Sequence, residues 1–372
     1  MSKKEEVLAE LGMQKFITNQ DLSGMDFSGC DFSSCAFSEI DFSDANLSYA
    51  NMTSTQSQNC DFTGADMTGV TALSSQWLNP KLKGAKFVNL DLRTCQMISS
   101  EIDNAILNAE FLNFATFHDV EFTNLKLKGK LHTVTANETR FTNMEFRSGK
   151  FFRCAFHKCS FDQADFSHSH FEECALIDTD LSRTVLEDIE IYKGLFQDVD
   201  LSNRNFEGAK FTLLQLIGCE LSNINLSNAV LEKCGFMKAN LEGADLSNSN
   251  ALQSNFFEAN LVDANLRGAD LQQTIWKDAK LLRADFTDSN LESSNFENAN
   301  LRDALLCNAK IGFGNFAGAD LTDTKVTDCD LYMAILDRIT DENTDWSGSN
   351  VKRAQRPDHD KNEAEDWPTA QG

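Results

Sequence analysis

Large apolar side chains recur every fifth residue along almost the whole chain. In DLSGMDFSGCDFSSCAFSEIDFSDANLSYANM they stand at Leu22, Phe27, Phe32, Phe37, Phe42, Leu47 and Met52. Steps of five from Leu22 reach Leu127, and only Ser57 and Ala72 break the series. A second series runs from Phe141 to Val351 and is broken only at Ala251 and Asp341. Two residues before each of these centres the side chain is usually small, as at Ala45, Ala50, Ala65, Ala239 and Ala244. The residue before the centre is often Asp or Asn, and the one after it Ser, Thr, Glu or Arg.

A period of five fits neither the 3.6 of a helix nor the 2 of a flat strand. Inward side chains at the centre and two residues before it describe a very short extended segment followed by a turn. Asp, Asn, Ser and Gly at the other positions supply the turn chemistry. If each turn bends the chain by about a right angle, four units close a coil of about 20 residues, and successive coils stack and pair their backbones.

Units such as ANLEG ADLSN, ANLVD ANLRG ADLQQ and ANLRD resemble the pentapeptide repeat family, over residues 20 to about 351. The resemblance implies an all-β chain wound as a right-handed quadrilateral β-helix with a central ladder of large side chains. Phe27, Phe32, Phe37, Phe42, Phe141, Phe146, Phe151, Phe156, Phe161, Phe166 and Phe171 are ladder members. Phe141 is expected over Phe161, Phe146 over Phe166 and Phe151 over Phe171.

The two series do not join, because Leu127 to Phe141 is one residue short of three units. Residues 128–140 are therefore expected to be a register break, a kink or an excursion loop between a first arm, 20–127, and a second, 141–351. The failed slots Ser57 and Ala72, with Pro80 at a small position, suggest a bulging loop within 53–82. Residues 1–19 read as a capping helix: Ser2 and Glu5 form a capping box, Val7, Leu8 and Leu11 share a face, and Gly12 is a stop signal. Residues 352–372 lack the repeat and read as a disordered tail.

Charge then narrows the function. The net charge is -24, which disfavours direct binding to nucleic acid or to an anionic membrane surface. With Glu5 and Glu6 where a signal peptide would be apolar, a cytoplasmic protein is expected. The charge is uneven: residues 1–125 carry -10, 126–158 carry +6 and 159–351 carry -19. The basic band, Lys126, Lys128, Lys130, Arg140, Arg147, Lys150, Arg153 and Lys158, is a candidate docking site for an acidic partner.

Ten of the eleven cysteines fall two residues before a centre, which makes them small buried groups rather than ligands or nucleophiles; Cys307 is the exception. Cys154, His157, Cys159, His168, His170 and Cys174 mix zinc-type ligands, but the cysteines should point inward and the histidines outward. No phosphate-loop, dinucleotide or hydrolase motif occurs, so neither catalysis nor a cofactor is expected. CDFSSCAF and CAFHKCSFDQADF are similar to units of the quinolone-resistance branch of the family. That resemblance implies an acidic rod that mimics DNA and engages a type II topoisomerase, gyrase, or another DNA-binding protein, with antibiotic protection as a consequence. A second reading is an interaction scaffold that uses loops at 53–82 and 128–140.

Overall fold

Each five-residue unit forms one wall of a coil, and a residue in the left-handed region, two after the centre, makes the corner. Gly24 (φ 65), Gly29 (φ 65), Ser34 (φ 59), Glu39 (φ 55) and Asp44 (φ 55) are consecutive corners. Only Gly, and more rarely Asn or Asp, adopts this conformation at low cost, so these residues recur there.

Almost every amide of a unit then has a defined acceptor. The centre donates to the next coil (Leu22 N–H to the Asp41 carbonyl, 2.7 Å), as does the corner (Gly24 N–H to Ser43, 2.8 Å). The residue before the centre donates to the previous coil (Asp41 N–H to Gln20, 3.0 Å), and the residue after the corner closes the turn (Cys30 N–H to Phe27, 3.0 Å). The amide after the centre is taken by the Asp or Asn side chain before it, as Ser23 N–H is by Asp21 Oδ1 at 3.0 Å. Such complete pairing is what a buried or stacked backbone demands, and it leaves little room for proline.

The computed structural model describes residues 2–355, in two compact units that divide between Val199 and Asp200. The unit boundary does not fall at 128–140. In the first unit the helix α1 (Lys3–Gln14) starts at the Ser2 and Glu5 capping box and lays Val7 and Leu11 on the coil end. It runs past Gly12 and stops at Lys15, which takes the left-handed cap conformation (φ 55). The first wall follows at once as Phe16–Thr18, paired in parallel with Ala36–Ser38, so Ile17 is a buried centre within the stretch expected to be cap alone.

Walls pair with those 20 residues on: Ala36–Ser38 with Gln56–Gln58, that with Gln76–Leu78, and that with the start of Gln96–Asp103. All eleven ladder phenylalanines are buried. Phe141 stacks on Phe161 at 4.8 Å and Phe151 on Phe171 at 4.3 Å, while Phe146 meets Phe151 edge-on at 5.0 Å. In the second unit Leu221, Leu241, Leu261, Leu281 and Leu301 are buried centres of the same repeat. There Phe236, Phe256, Trp276, Phe296 and Phe316 form a stack.

Neither expected loop is present. In 53–82, Ser57 lies opposite Trp77, so a small centre is offset by a large one; the Trp77 indole donates to Ser75 Oγ at 2.7 Å. Ala72 is buried as a centre, and Pro80 sits buried at a small position. Residues 128–140 are wall as well: Lys130–His132 pairs with Lys150–Phe152, and Thr135–Asn137 with both Thr116–Thr123 and Ala155–His157. The missing residue is taken up at one corner. Leu127 and Leu131 are successive buried centres four apart, and Gly129 between them turns the chain with φ 104. Across this corner the offset drops to 19, as between Lys126 and Glu145 or Glu121 and Arg140.

A further irregularity had no counterpart in the sequence reading: Val88 lies opposite Ile106, 18 residues on, and Ala109–Leu112 forms a 3-10 turn capped by Asn108. At the other end, Val351–Arg353 is a short 3-10 turn, and Gln355 N–H bonds to the Ala334 carbonyl at 2.8 Å. Residues 352–355 of the expected tail thus lie against the coil, and the rest of it lies outside the described residues. No described helix is long and apolar enough to cross a membrane.

Candidate binding faces

The walls carry the functional candidates, because both inward positions of each unit are used for packing. The residue before each centre faces outward, and its side-chain oxygen accepts the amide two residues on. Asp21, Asp26, Asp31, Asp41, Asp61 and Asp66 do this at 2.8 to 3.1 Å. Their positions are therefore fixed by the turn. The Ser23 hydroxyl and amide hold the Asp21 carboxyl below the usual carboxylate range, and the Ser28 amide does the same for Asp26.

Asn serves the same turn without charge: Asn46 and Asn51 accept from Ser48 and Thr53, each at 3.1 Å. The charge at Asp21, Asp41 and Asp61 is thus not required by the local fold. These three carboxylates lie directly opposite one another on successive coils, an arrangement that costs stability through like-charge repulsion. The column ends where Lys81 reaches Asp61 at 3.1 Å, and on the neighbouring wall Lys86 reaches Asp66 at 3.2 Å.

The basic band does not converge. Lys126, Lys128 and Arg147 flank the centres Leu127 and Phe146; Lys130, Lys150 and Arg153 flank Leu131 and Phe151; Arg140 flanks Phe141 and Lys158 follows Phe156. These are four different walls. Half of the band is neutralised by adjacent coils: Lys126 with Glu145 (2.8 Å), Arg140 with Glu121 (2.6 Å), Arg147 with Asp165 (3.3 Å) and Arg153 with Glu173 (2.6 Å). Lys128, Lys130, Lys150 and Lys158 have no ion pair among the described residues.

Glu173 is shared between two cations. Lys193, at 2.7 Å, and Arg153 beside it push its carboxyl down from 4.5 to about 2. Because the folded-state value is lowered, its contribution to stability is present above the unfolded value and fades as pH falls from 4.5 toward 2. An NMR carboxyl titration should show Glu173 protonating near pH 2, and Lys193→Gln should move that midpoint upward.

All eleven cysteines are free thiols, and burial pushes Cys60 up to about 11 and Cys95 and Cys234 up to about 12. The zinc-like set comes apart as its positions suggest. Cys154, Cys159 and Cys174 are buried, His157 bonds Asn137 at 2.6 Å, and His168 and His170 face Asp188 and Glu190. No metal-binding group of three or more such residues occurs among the described residues. An open groove of about 690 Å³ lies at the shortened corner, lined by Asn108, Glu110, Lys126, Lys128, Gly129 and Arg147 among others.

Sequence profiles agree with this geometry. The profile described as pentapeptide repeats (8 copies) matches residues 17–48, 40–71, 234–273, 264–303 and 299–338, and that of the pentapeptide repeat region matches 149–226. The chain belongs to the pentapeptide repeat family. Solenoids of this family generally serve structure and interaction rather than catalysis. No curated protein matches the chain.

Several solved structures are similar. HetL, a pentapeptide repeat protein involved in heterocyst differentiation regulation in the cyanobacterium Nostoc sp. strain PCC 7120, is 23% identical over 59% of this chain and 87% of its own, with a TM-score of 0.22. Full-length QnrB1, a plasmid-mediated fluoroquinolone resistance protein, is 14% identical over 63% and 96%, with a TM-score of 0.20. A pentapeptide repeat protein of the Arabidopsis thaliana thylakoid lumen is 33% identical over 29% and 68%, with a TM-score of 0.13.

Proposed function

We propose that this pentapeptide repeat protein is a non-enzymatic, cytoplasmic binding protein whose outward carboxylates stand in for a nucleic-acid backbone in front of a DNA-binding protein. A type II topoisomerase such as gyrase is the partner class, and protection from a topoisomerase-directed antibiotic is the consequence. The observation that supports the reading is the column Asp21, Asp41 and Asp61: charge is kept there against mutual repulsion although Asn would serve the turn. Turn bonds hold the carboxylates in place before a partner arrives, so little ordering entropy is lost on binding.

The test is a supercoiling assay with purified gyrase, with and without a fluoroquinolone. The wild-type protein should alter supercoiling or relieve drug inhibition at about micromolar concentration. The triple variant Asp21→Asn, Asp41→Asn, Asp61→Asn should lose the effect while staying folded, because the repulsion it relieves offsets the lost ion pair between Asp61 and Lys81. An inert wild-type protein would refute the reading.

A further inference from the structure

The walls around Leu131 and Phe151 carry a surface of the opposite sign. Lys150 lies directly opposite Lys130 on adjacent coils, and neither ammonium has an ion-pair partner among the described residues. Beyond the same two centres, Phe152 is in register with His132. Phe114, His132 and Phe152 run as an outward row with ring centroids 4.9 and 4.8 Å apart, and Phe114 is 51% exposed. Lys130 Nζ stands 4.2 Å from the Phe152 ring centre, and the Arg153 guanidinium 4.7 Å.

Two parts of this arrangement work against stability: facing like charges, and aromatic surface left in water. Nearby coils show the stabilising alternative, with Glu173 set between Arg153 and Lys193, and Asp61 beneath Lys81. Only at Lys130 and Lys150 does the band leave two adjacent cations on one wall without an acid.

We propose that this face docks a short acidic segment of a partner protein, with its carboxylates on Lys130 and Lys150 and an aromatic side chain on the row from Phe114 to Phe152. The cation–π contacts hold the charged heads beside the ring, so an anion and an aromatic group are received together. Glu172, Glu173 and Glu190 bound the face on its C-terminal side, through register with Phe152, Arg153 and His170. That boundary, with the net charge of -24, limits the footprint to about two coils and repels a long polyanion such as a nucleic-acid strand. This inference stands apart from the acidic column, which lies on a different wall and would take a basic partner.

The experiment uses the full chain and fluorescence polarisation, with a labelled oligoglutamate peptide carrying one central Trp and, separately, a labelled oligothymidylate of equal charge. Saturable binding of the peptide is expected. The double variant Lys130→Gln, Lys150→Gln should weaken it about tenfold, the order expected for two exposed charge pairs. Lys158→Gln, which removes an unpaired lysine on another wall, should leave it unchanged. The double variant should also melt no lower than wild type, since a repulsion has been removed; this readout separates a docking role from a structural one. Replacing the peptide Trp by Ala should weaken binding as well. The proposal is overturned by absence of saturable binding, by equal loss in Lys158→Gln, by indifference to the Trp, or by tighter binding of the oligothymidylate.

Discussion

Truncating Phe161 to Ala should cost about 3–5 kcal/mol of stability, the range for removing a fully buried aromatic. Phe161 is 1% exposed, stacks on Phe141 at 4.8 Å, and meets Phe156 and Phe166 edge-on at 5.1 Å each. Its loss therefore opens a cavity bounded by three aromatic groups rather than a gap that one neighbour can fill. Phe161→Asp should go further and unfold the surrounding coils, because an unpaired carboxylate would be driven into the ladder. Urea unfolding followed by circular dichroism measures the first effect. Loss of amide protection in the coils on either side of Phe161 reports the second.

Inserting one Asn between Lys128 and Gly129 should be tolerated or stabilising, whereas the same insertion between Asn248 and Ser249 should be severely destabilising. The first insertion restores the five-residue spacing from Leu127 to Leu131's position, places Asn in the left-handed corner, and leaves Gly129 at the small inward position. The second displaces a regular corner, where Asn248 already has φ 54 and Leu246 and Ala251 are buried centres. Moving that wall out of register exposes buried side chains, a loss on the order of 4–5 kcal/mol or more. Melting temperatures of the two insertion variants against wild type decide the matter, and an equal drop in both would mean that the short corner is no special site.

The same contrast explains what the sequence disclosed. Counting centres in steps of five was enough to assign the coil, the phenylalanine ladder and the inward cysteines, because one outward slip would expose a large side chain. The identical count placed a register break, a kink or a loop at 128–140 but not the short corner itself, since Leu131 comes four residues after Leu127 and a fixed step passes over it. Ile17 was missed because the helix pattern before it masked the first wall. The candidate faces were less legible. Arg140 meets Glu121 at a separation of 19 and Phe114 meets His132 at 18, so neither pair lies on the period that organises the rest. That the basic band spreads over four walls follows from the corners between its members, and net charge by segment cannot register corners.

The acidic column poses the reverse problem: its Asp residues are visible in the sequence, but their meaning depends on what the turn requires. Once Asn46 and Asn51 are seen to make the same bond, the negative charge at Asp21, Asp41 and Asp61 becomes separable from the fold. The most direct test is a competition experiment in which a purified type II topoisomerase holds a labelled linear duplex and the protein is titrated against it. Wild type should displace the duplex, and the triple Asp→Asn variant, still folded by circular dichroism, should not. Simultaneous binding of protein and duplex, or equal displacement by the uncharged variant, would contradict the reading.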